Sequence, residues 1–193
     1  MENLQTQGIS LPRLGLGTYR MQGDACRAAV ENALGLGYRH IDTAEMYGNE
    51  DAIGVANFNI ALLKTVVEQI KAPIACNQIE YHVMLDQTPV RRYMSAKSIP
   101  LVAYCPLAQG RAASDETLTA IGSKHGASAA QVALKWLLDQ DDVAAIPKAS
   151  RSESQQANLD ALNVGLDDED MKAIAALPKN RRCVNPGFAP AWD

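Results

Sequence analysis

Short apolar segments alternate with amphipathic segments along almost the whole chain. The apolar segments predict strands at residues 14–18, 38–43, 53–58, 75–80, 101–104 and 143–146. Between them, apolar side chains recur at helical spacing, as in the stripe Leu62, Leu63, Val66, Val67 and Ile70. This alternation predicts an α/β fold in which helices cover a parallel sheet.

Local signals mark where the predicted helices begin and end. The first helix begins at Asp24 and stops at Gly35 and Gly37, and Asn59 can cap the helix after the third strand. Pro89 marks another helix start. The remaining helices begin at Ser114, at Ser128 (with Gln131 completing a capping box), at Ser152 and at Asp167. Periodicity alone does not separate a closed barrel from an open sheet.

Composition and charge narrow the functional classes. The 193 residues suggest one domain, or at most two small ones, and the net charge of -4 argues against a general nucleic-acid surface. Four scattered cysteines, Cys26, Cys76, Cys105 and Cys183, predict reduced thiols and no metal site. The polar start of the chain does not resemble a signal peptide, and no apolar run is long enough to span a bilayer. We therefore expect a soluble, cytoplasmic protein.

The residues that end the predicted strands form a chemically coherent set. They are Gly17, Thr18, Asp42 with Tyr47 just beyond it, Asn57, Gln78, Glu80, Tyr104, Leu107 and Lys148. A phenol can protonate a carbonyl oxygen, an amide can hold a nicotinamide carboxamide, and a tyrosine ring can stack on nicotinamide. Each residue alone is more often a loop or packing residue, but the whole set predicts a hydride-transfer site. No G-x-G-x-x-G opens a helix after a strand, so a nucleotide would be held in another way.

Several strand ends resemble the motifs of the aldo-keto reductase family. Residues 37–50 (GYRHIDTAEMYGNE) resemble its signature around a strand-end Asp and Tyr, and residues 14–19 resemble its first strand. The later motifs are matched by GVANF (54–58), NQIEYH (77–82), AYCPL (103–107) and IPK (146–148). Residues 184–193 are similar to the 2,5-diketo-D-gluconate reductase B branch, of methylglyoxal reductase type. The resemblance covers nearly the whole chain and implies the (βα)8 TIM-barrel fold.

The resemblance also implies a role for each site residue. Tyr47 would be the general acid in the reduction of a small aldehyde or ketone, with Asp42 in support. NADP(H) would be the cofactor, bordered by Gly17 and Thr18. Its parts would be held as follows: the carboxamide by Asn57 and Gln78, the nicotinamide ring by Tyr104, the pyrophosphate by Leu107, the 2′-phosphate by Lys148, and the adenine by Asn158. Ser154 stands where the family has an arginine, and Arg151 is close enough to replace it.

The chain is nevertheless too short for the complete barrel, which needs about 250 residues. Glu50 and Val55 are almost adjacent where the family has a long stretch, so we expect a single domain, residues 1–193, shortened near residues 51–55. About six strands would remain, with strands three and four missing. The family's catalytic lysine and histidine would be lost with them. A tyrosine without that lysine keeps a pKa of about 10 and is a poor acid–base group at neutral pH. His40 and His82 are interpreted as packing residues.

Three functional hypotheses remain open. The chain is a weakened NADP(H)-dependent reductase of the 2,5-diketo-D-gluconate and methylglyoxal class, a non-catalytic NADP(H)-binding remnant, or an interaction module. In the third case, the open sheet edges would pair with another chain. The resemblance implies a monomer whose partner is a small carbonyl compound, with no nucleic acid and no membrane.

Overall fold

Parallel strands and helices alternate through the part of the chain that the computed structural model describes: residues 3–6, 8–42, 55–71, 74–187 and 189–193. The strands are β1 (Asn3–Thr6), β2 (Ile9–Pro12), β3 (Leu16–Gly17), β4 (Ile41–Asp42), β5 (Val55–Ala56), β6 (Asn77–Glu80), β7 (Leu101–Tyr104) and β8 (Val143–Ala145). The helices are α1 (Gly23–Gly35), α2 (Ile60–Lys64), which continues as a π-helical turn (Thr65–Ile70), α3 (Thr88–Ala96), α4 (Glu116–Lys124), α5 (Ala129–Leu138), α6 (Ser152–Asp160) and α7 (Asp168–Ala175).

Six parallel strands form one curved sheet. β5, β6, β7 and β8 pair in that order, and β3 pairs with β4. Single bridges from Leu14 to Ala145 and from Gly17 to Lys148 place β3 beside β8. The strand order is therefore β4-β3-β8-β7-β6-β5, which confirms the prediction of a shortened barrel. Within the described ranges no ladder joins β4 to β5, so the arc is open there.

The two faces of the sheet are covered by different elements. Leu101, Ala103 and Ala145 belong to the main core beneath the helices, together with Leu134 of α5 and Leu63 of α2. Alternate residues point inward, because successive side chains of a strand face opposite sides. On that inner side Val102, Ala144 and Ile146 pack against Leu4 of β1.

The β1–β2 hairpin was not predicted from the sequence, in which residues 1–10 were described only as polar and unlike a signal peptide. β1 and β2 pair antiparallel from Asn3–Pro12 to Thr6–Ile9, and Gly8 supplies a φ of 78° in the connection. The Thr6 hydroxyl donates to the Ala75 carbonyl at 2.7 Å. The hairpin thereby closes the inner face of the arc with only one large buried apolar side chain, Leu4.

Most of the predicted helix caps are present. The Asn59 side chain accepts the Leu62 N–H at 2.9 Å, and Ser128 and Gln131 form the capping box of α5. One predicted start is wrong: α4 is capped by Asp115, which accepts the Leu118 N–H at 3.0 Å. Ser114 lies one residue too early, in a 3-10 turn. No helix among the described residues is both long and apolar enough to cross a membrane.

Candidate active site

The predicted site residues of four strands meet at one edge of the sheet, where parallel strands end. Thr18 follows β3, and its backbone N–H and its hydroxyl both donate to the Asp42 carbonyl of β4, at 3.1 and 2.8 Å. Asn57 follows β5, and its N–H donates to the Gln78 carbonyl of β6 at 2.8 Å. The ladder itself therefore fixes the backbone positions of these residues.

A direct hydrogen bond crosses the site from β4 to β6. The Gln78 side-chain amide donates to the Asp42 carboxylate at 2.5 Å. Burial raises the pKa of Asp42 to about 6, and the hydrogen bond from Gln78 offsets part of that increase. No Lys or Arg of the described chain forms an ion pair with Asp42. Within the described ranges, the side chain that holds this half-buried carboxyl group is the Gln78 amide.

A second side-chain pair joins β5 to β7. The Tyr104 hydroxyl donates to the Asn57 side-chain carbonyl at 2.8 Å. Asn57 has a φ of 60° and Cys105 has a φ of 48°, both in the left-handed region that non-glycine residues seldom occupy. Burial, with the nearby Glu80 carboxylate as the next cause, raises the pKa of the Tyr104 phenol well above its usual value. Tyr104 therefore stays neutral at physiological pH and presents a ring and a hydroxyl to the site.

A cationic group lies where β8 leads into α6. Lys148 and Arg151 are both exposed, and Arg151 is the N-cap residue of α6, although its side chain does not cap the first-turn N–H groups. Two cations beside a helix N-terminus form a donor set that suits a phosphate. Gly17 is bridged to Lys148, and an added Cβ at Gly17 would lie 2.8 Å from the Ile146 carbonyl oxygen. Leu107, half-buried after β7, packs against both large core clusters.

The structure does not bring Asn158 into this cationic group. Asn158 is only 8% exposed and lies beside the Tyr38 phenol, whose hydroxyl donates to the Gln155 carbonyl of α6 at 2.9 Å. Burial raises the pKa of Tyr38 to about 12, although the Asn158 contact lowers it in part. Gln155, which the sequence analysis did not single out, is fully buried beside it and donates to the Ala29 and Ala149 carbonyls. Nothing in its local sequence distinguishes it from an exposed helix residue.

The predicted general acid, Tyr47, lies outside the described residues, as does the rest of its motif from residue 43 to residue 50. Its role therefore stays a prediction from the sequence. Its nearest described neighbour in the chain is Asp42, the last residue of β4.

Glu80 anchors the C-terminal segment, residues 181–193, beside the strand ends. Its carboxylate is fully buried and accepts the backbone N–H groups of Cys183 at 2.6 Å and Val184 at 2.9 Å. Arg182 lies 3.8 Å away. Burial alone would raise the pKa of Glu80, but the hydrogen bonds from His82, Cys183 and Val184 outweigh it and lower the pKa. The sequence placed Glu80 in the strand-end set without a role, because its partners lie a hundred residues away.

His82 belongs to this anchor. Its Nε2 lies 3.0 Å from the Glu80 carboxylate, and its Nδ1 accepts the Met84 N–H at 3.3 Å. The Cys183 thiol is 3.8 Å from the same Nε2. Although Glu80, His82 and Cys183 are near enough to share a cation, both imidazole nitrogens are already engaged, and a neutral His needs one of them free to ligate a metal. The arrangement supports the interpretation of His82 as a structural residue.

The far end of the same segment reaches α2. The Asn59 side-chain amide donates to the Ala191 carbonyl at 2.8 Å, and the Asp193 carboxylate accepts the Ile60 N–H at 2.7 Å. Between the two anchors, Trp192 stacks on the Arg182 guanidinium at 3.9 Å. The segment therefore spans from the end of β6 to the helix that follows β5, and places Trp192 near the cluster of strand ends.

Comparison with known proteins identifies this arrangement. Residues 51–179 match the family model described as the aldo/keto reductase family. The chain is 30% identical to methylglyoxal reductase DkgB of Escherichia coli O157:H7, over 268 positions that include 96% of this chain and all of that protein. The chain belongs to the aldo/keto reductase family.

Solved structures of aldo/keto reductases share the fold. A crystal structure assigned as a 2,5-diketo-D-gluconic acid reductase B has a TM-score of 0.93 and 29% identity, with 100% of this chain and 98% of that chain covered. An aldo-keto reductase complexed with NADPH has a TM-score of 0.86 and 21% identity, with 100% and 94% covered. At 21% identity, the likeness to the NADPH complex shows only a shared fold.

The alignment with the Escherichia coli aldo/keto reductase also measures the shortening. It runs over 268 positions, whereas this chain has 193 residues, so at least 75 positions of the relative have no counterpart here. The remaining strands keep the relative positions that they have in the solved diketo-gluconic acid reductase B structure, as the TM-score of 0.93 indicates. The Asp42–Gln78 bond lies in the region where the arc is open.

Proposed function

We propose that this chain is an NADP(H)-dependent reductase of small aldehydes and ketones, of the methylglyoxal and 2,5-diketo-D-gluconate class, with a rate lowered by the shortening. The observation that carries the proposal is the convergence of Asp42, Asn57, Gln78 and Tyr104 at one edge of a parallel sheet. Catalytic groups of such barrels stand at that edge. The names of the related methylglyoxal reductase and of the diketo-gluconic acid reductase suggest the substrate class.

The donor set fits a phosphorylated dinucleotide extended along this edge. Lys148, Arg151 and the N-terminus of α6 would hold the 2′-phosphate. Asn57 and Gln78 would hold the nicotinamide carboxamide, and the half-buried Tyr104 ring would lie against the nicotinamide. Gly17, Thr18 and Leu107 border the path between these two ends. When bound, the reduced nicotinamide supplies the hydride.

Tyr47 would donate the proton to the carbonyl oxygen, because it follows Asp42 in the motif that the family uses for this step. The lysine that would lower the phenol pKa belongs to the missing stretch, so proton transfer is impaired. General acid–base help is worth roughly 10²–10⁴-fold in rate. We therefore expect turnover lower than that of a complete barrel by a factor within this range.

The second candidate is a non-catalytic NADP(H)-binding protein. The Asp42–Gln78 bond favours it, since a group that would hold the cofactor is engaged within the protein. In this case the phosphate end of the site would still bind nucleotide, and no carbonyl compound would be turned over.

A cofactor titration tests the binding step. NADPH and NADH are added separately to the purified protein while tryptophan fluorescence is recorded. The fluorescence of Trp192 should change on binding, because this residue lies on the segment beside the strand ends. Trp136 packs on Tyr81 with 5.4 Å between ring centroids. The variant Trp192→Phe retains only Trp136, so it shows how much of the signal comes from that distant tryptophan. Saturable quenching with NADPH preferred supports the proposal. A folded protein that binds neither nucleotide contradicts it and leaves the interaction-module hypothesis.

A steady-state assay then tests the reaction. NADPH oxidation is followed with methylglyoxal as substrate, in the parent and in Tyr47→Phe. We expect slow turnover in the parent and none in the variant. Binding without turnover in the parent would replace the reductase proposal with the non-catalytic one, and equal turnover in both proteins would remove Tyr47 from the mechanism.

A further inference from the structure

Among the carboxylates at the described strand ends, only that of Asp42 contacts a side chain proposed to bind the nicotinamide, namely Gln78. Its Oδ1 accepts from the Gln78 amide at 2.5 Å. An amide nitrogen carries two hydrogens, so Gln78 can hold Asp42 with one and still offer its second hydrogen and its carbonyl to a carboxamide. A nicotinamide held by Gln78 would therefore lie beside the Asp42 carboxylate.

The charge of the nicotinamide ring differs between the two redox states of the cofactor. The oxidised ring carries a positive charge, and the reduced ring is neutral, while the rest of the molecule is the same. A carboxylate next to the ring favours the oxidised form by Coulomb attraction unless a cation neutralises the carboxylate first. In the described part of the chain, no Lys or Arg pairs with Asp42.

We propose that Asp42 makes this site selective for NADP⁺ over NADPH. This inference rests on the proposed function, because it takes Gln78 as the residue that holds the nicotinamide carboxamide. Asp42 is then a specificity-determining residue that distinguishes the oxidised from the reduced cofactor. NADP⁺, the oxidised cofactor that carbonyl reduction forms, would dissociate more slowly than NADPH. Accumulated NADP⁺ would therefore inhibit turnover.

The surroundings of Asp42 keep its charge effective. Burial removes most of the water that would screen the carboxylate, and the same burial raises its pKa to about 6. At an effective dielectric constant of about 40, between that of a protein interior and water, a carboxylate about 6 Å from the ring charge corresponds to roughly tenfold in affinity. We expect NADP⁺ to bind about tenfold more tightly than NADPH at pH 8.

The other titratable groups around Asp42 are few in the described chain. Cys76, the residue before β6, is near enough that the Asp42 charge adds to the effect of burial in raising the pKa of that thiol. His40, the residue before β4, has its Nδ1 at 3.1 Å from the Pro12 carbonyl, and burial lowers its pKa. β3 contributes the uncharged Thr18. Protonation of Asp42 should therefore control how the NADP⁺ to NADPH affinity ratio depends on pH between about 5 and 8.

The test compares dissociation constants for NADP⁺ and NADPH by calorimetry at pH 5 and pH 8. It uses the parent, Asp42→Asn and the control Asp142→Asn, which makes the same change just before β8, at the opposite edge of the sheet. Both nucleotides carry the same 2′-phosphate, so its protonation cancels in the ratio. We expect a ratio near ten at pH 8 that falls toward one at pH 5, in the parent and in the control, and a ratio near one at both pH values in Asp42→Asn.

Other results would overturn the inference. Equal affinities in the parent at pH 8, or an unchanged ratio in a folded Asp42→Asn, would reject it while the proposed function stands. Should Asp42→Asn not fold, the pH dependence of the parent's ratio decides alone. Absence of binding by either nucleotide would reject the proposed function and this inference together.

Discussion

The Glu80 anchor should contribute a large share of the stability of the protein. The perturbation is Glu80→Ala, which removes the acceptor of the Cys183 and Val184 N–H groups and the partner of His82. It also leaves the Arg182 guanidinium, which is 15% exposed, without the carboxylate that lies 3.8 Å away. Leaving these buried hydrogen-bond donors without their charged acceptor costs about 1–3 kcal/mol each. We expect the free energy of unfolding to fall by about 4 kcal/mol.

Urea unfolding followed by circular dichroism measures this loss. Glu80→Gln keeps the shape and one acceptor oxygen but removes the charge, so we expect about half the loss. Glu31→Gln, an exposed residue paired with Arg27 on α1, is the control and should leave the midpoint unchanged. Trypsin should cleave after Arg181 and Arg182 faster in Glu80→Ala, because the segment is released.

The pH dependence of the same unfolding gives a second check. The pKa of Glu80 is lowered in the folded protein, so its contribution is present above the unfolded pKa and is lost as the pH falls through the folded value. The parent should therefore lose stability below about pH 4 more steeply than Glu80→Gln. A loss under about 1 kcal/mol in Glu80→Ala, with unchanged proteolysis, would refute the reasoning.

Three further predictions concern the sheet and its edge. Gly17→Ala should lower the free energy of unfolding by about 1–3 kcal/mol in urea melts, because its Cβ would lie 2.8 Å from the Ile146 carbonyl; an unchanged midpoint would show that the strands can separate there. The pKa of Asp42 is raised to about 6 by folding, so the parent should lose stability as the pH rises from about 4 to 6. Asp42→Asn should not show this decline. Thermal melts across this range would contradict the idea if the two proteins gave parallel curves of melting temperature against pH. Lys148→Ala combined with Arg151→Ala should weaken NADPH binding at least tenfold and leave NADH binding almost unchanged, as measured by fluorescence titration; equal losses for both would place the 2′-phosphate elsewhere.

Much of the fold could be predicted from the sequence because its signals are local. The strand at residues 101–104 was placed correctly to the residue, and the caps at Asn59 and Ser128 follow from short-range hydrogen bonds. The β1–β2 hairpin could not be found in the same way. Its one large buried apolar side chain, Leu4, packs on residues of β7 and β8, and Ile9 of β2 is exposed, so the pattern within the segment itself does not reveal a buried face.

The candidate site shows the same division. The residue types at the strand ends pointed to hydride-transfer chemistry, and Asp42, Asn57, Gln78 and Tyr104 do lie at one edge. Which of them touch each other could not be predicted, since the Asp42–Gln78 bond depends on how the shortened sheet curves. Asn158 is buried beside Tyr38, more than a hundred residues earlier in the chain, so its burial leaves no trace in the local sequence.

The position of β3 between β4 and β8 determines when the protein can fold during its synthesis. Leu14 and Gly17 find their partners at Ala145 and Lys148, near the end of the chain. Contacts of such long sequence separation form slowly, because a large loop must close first. A ribosome has to translate about three quarters of this chain before its first parallel strand has a neighbour on that side. Until then the early strands leave an unpaired edge that chaperones or like chains can bind.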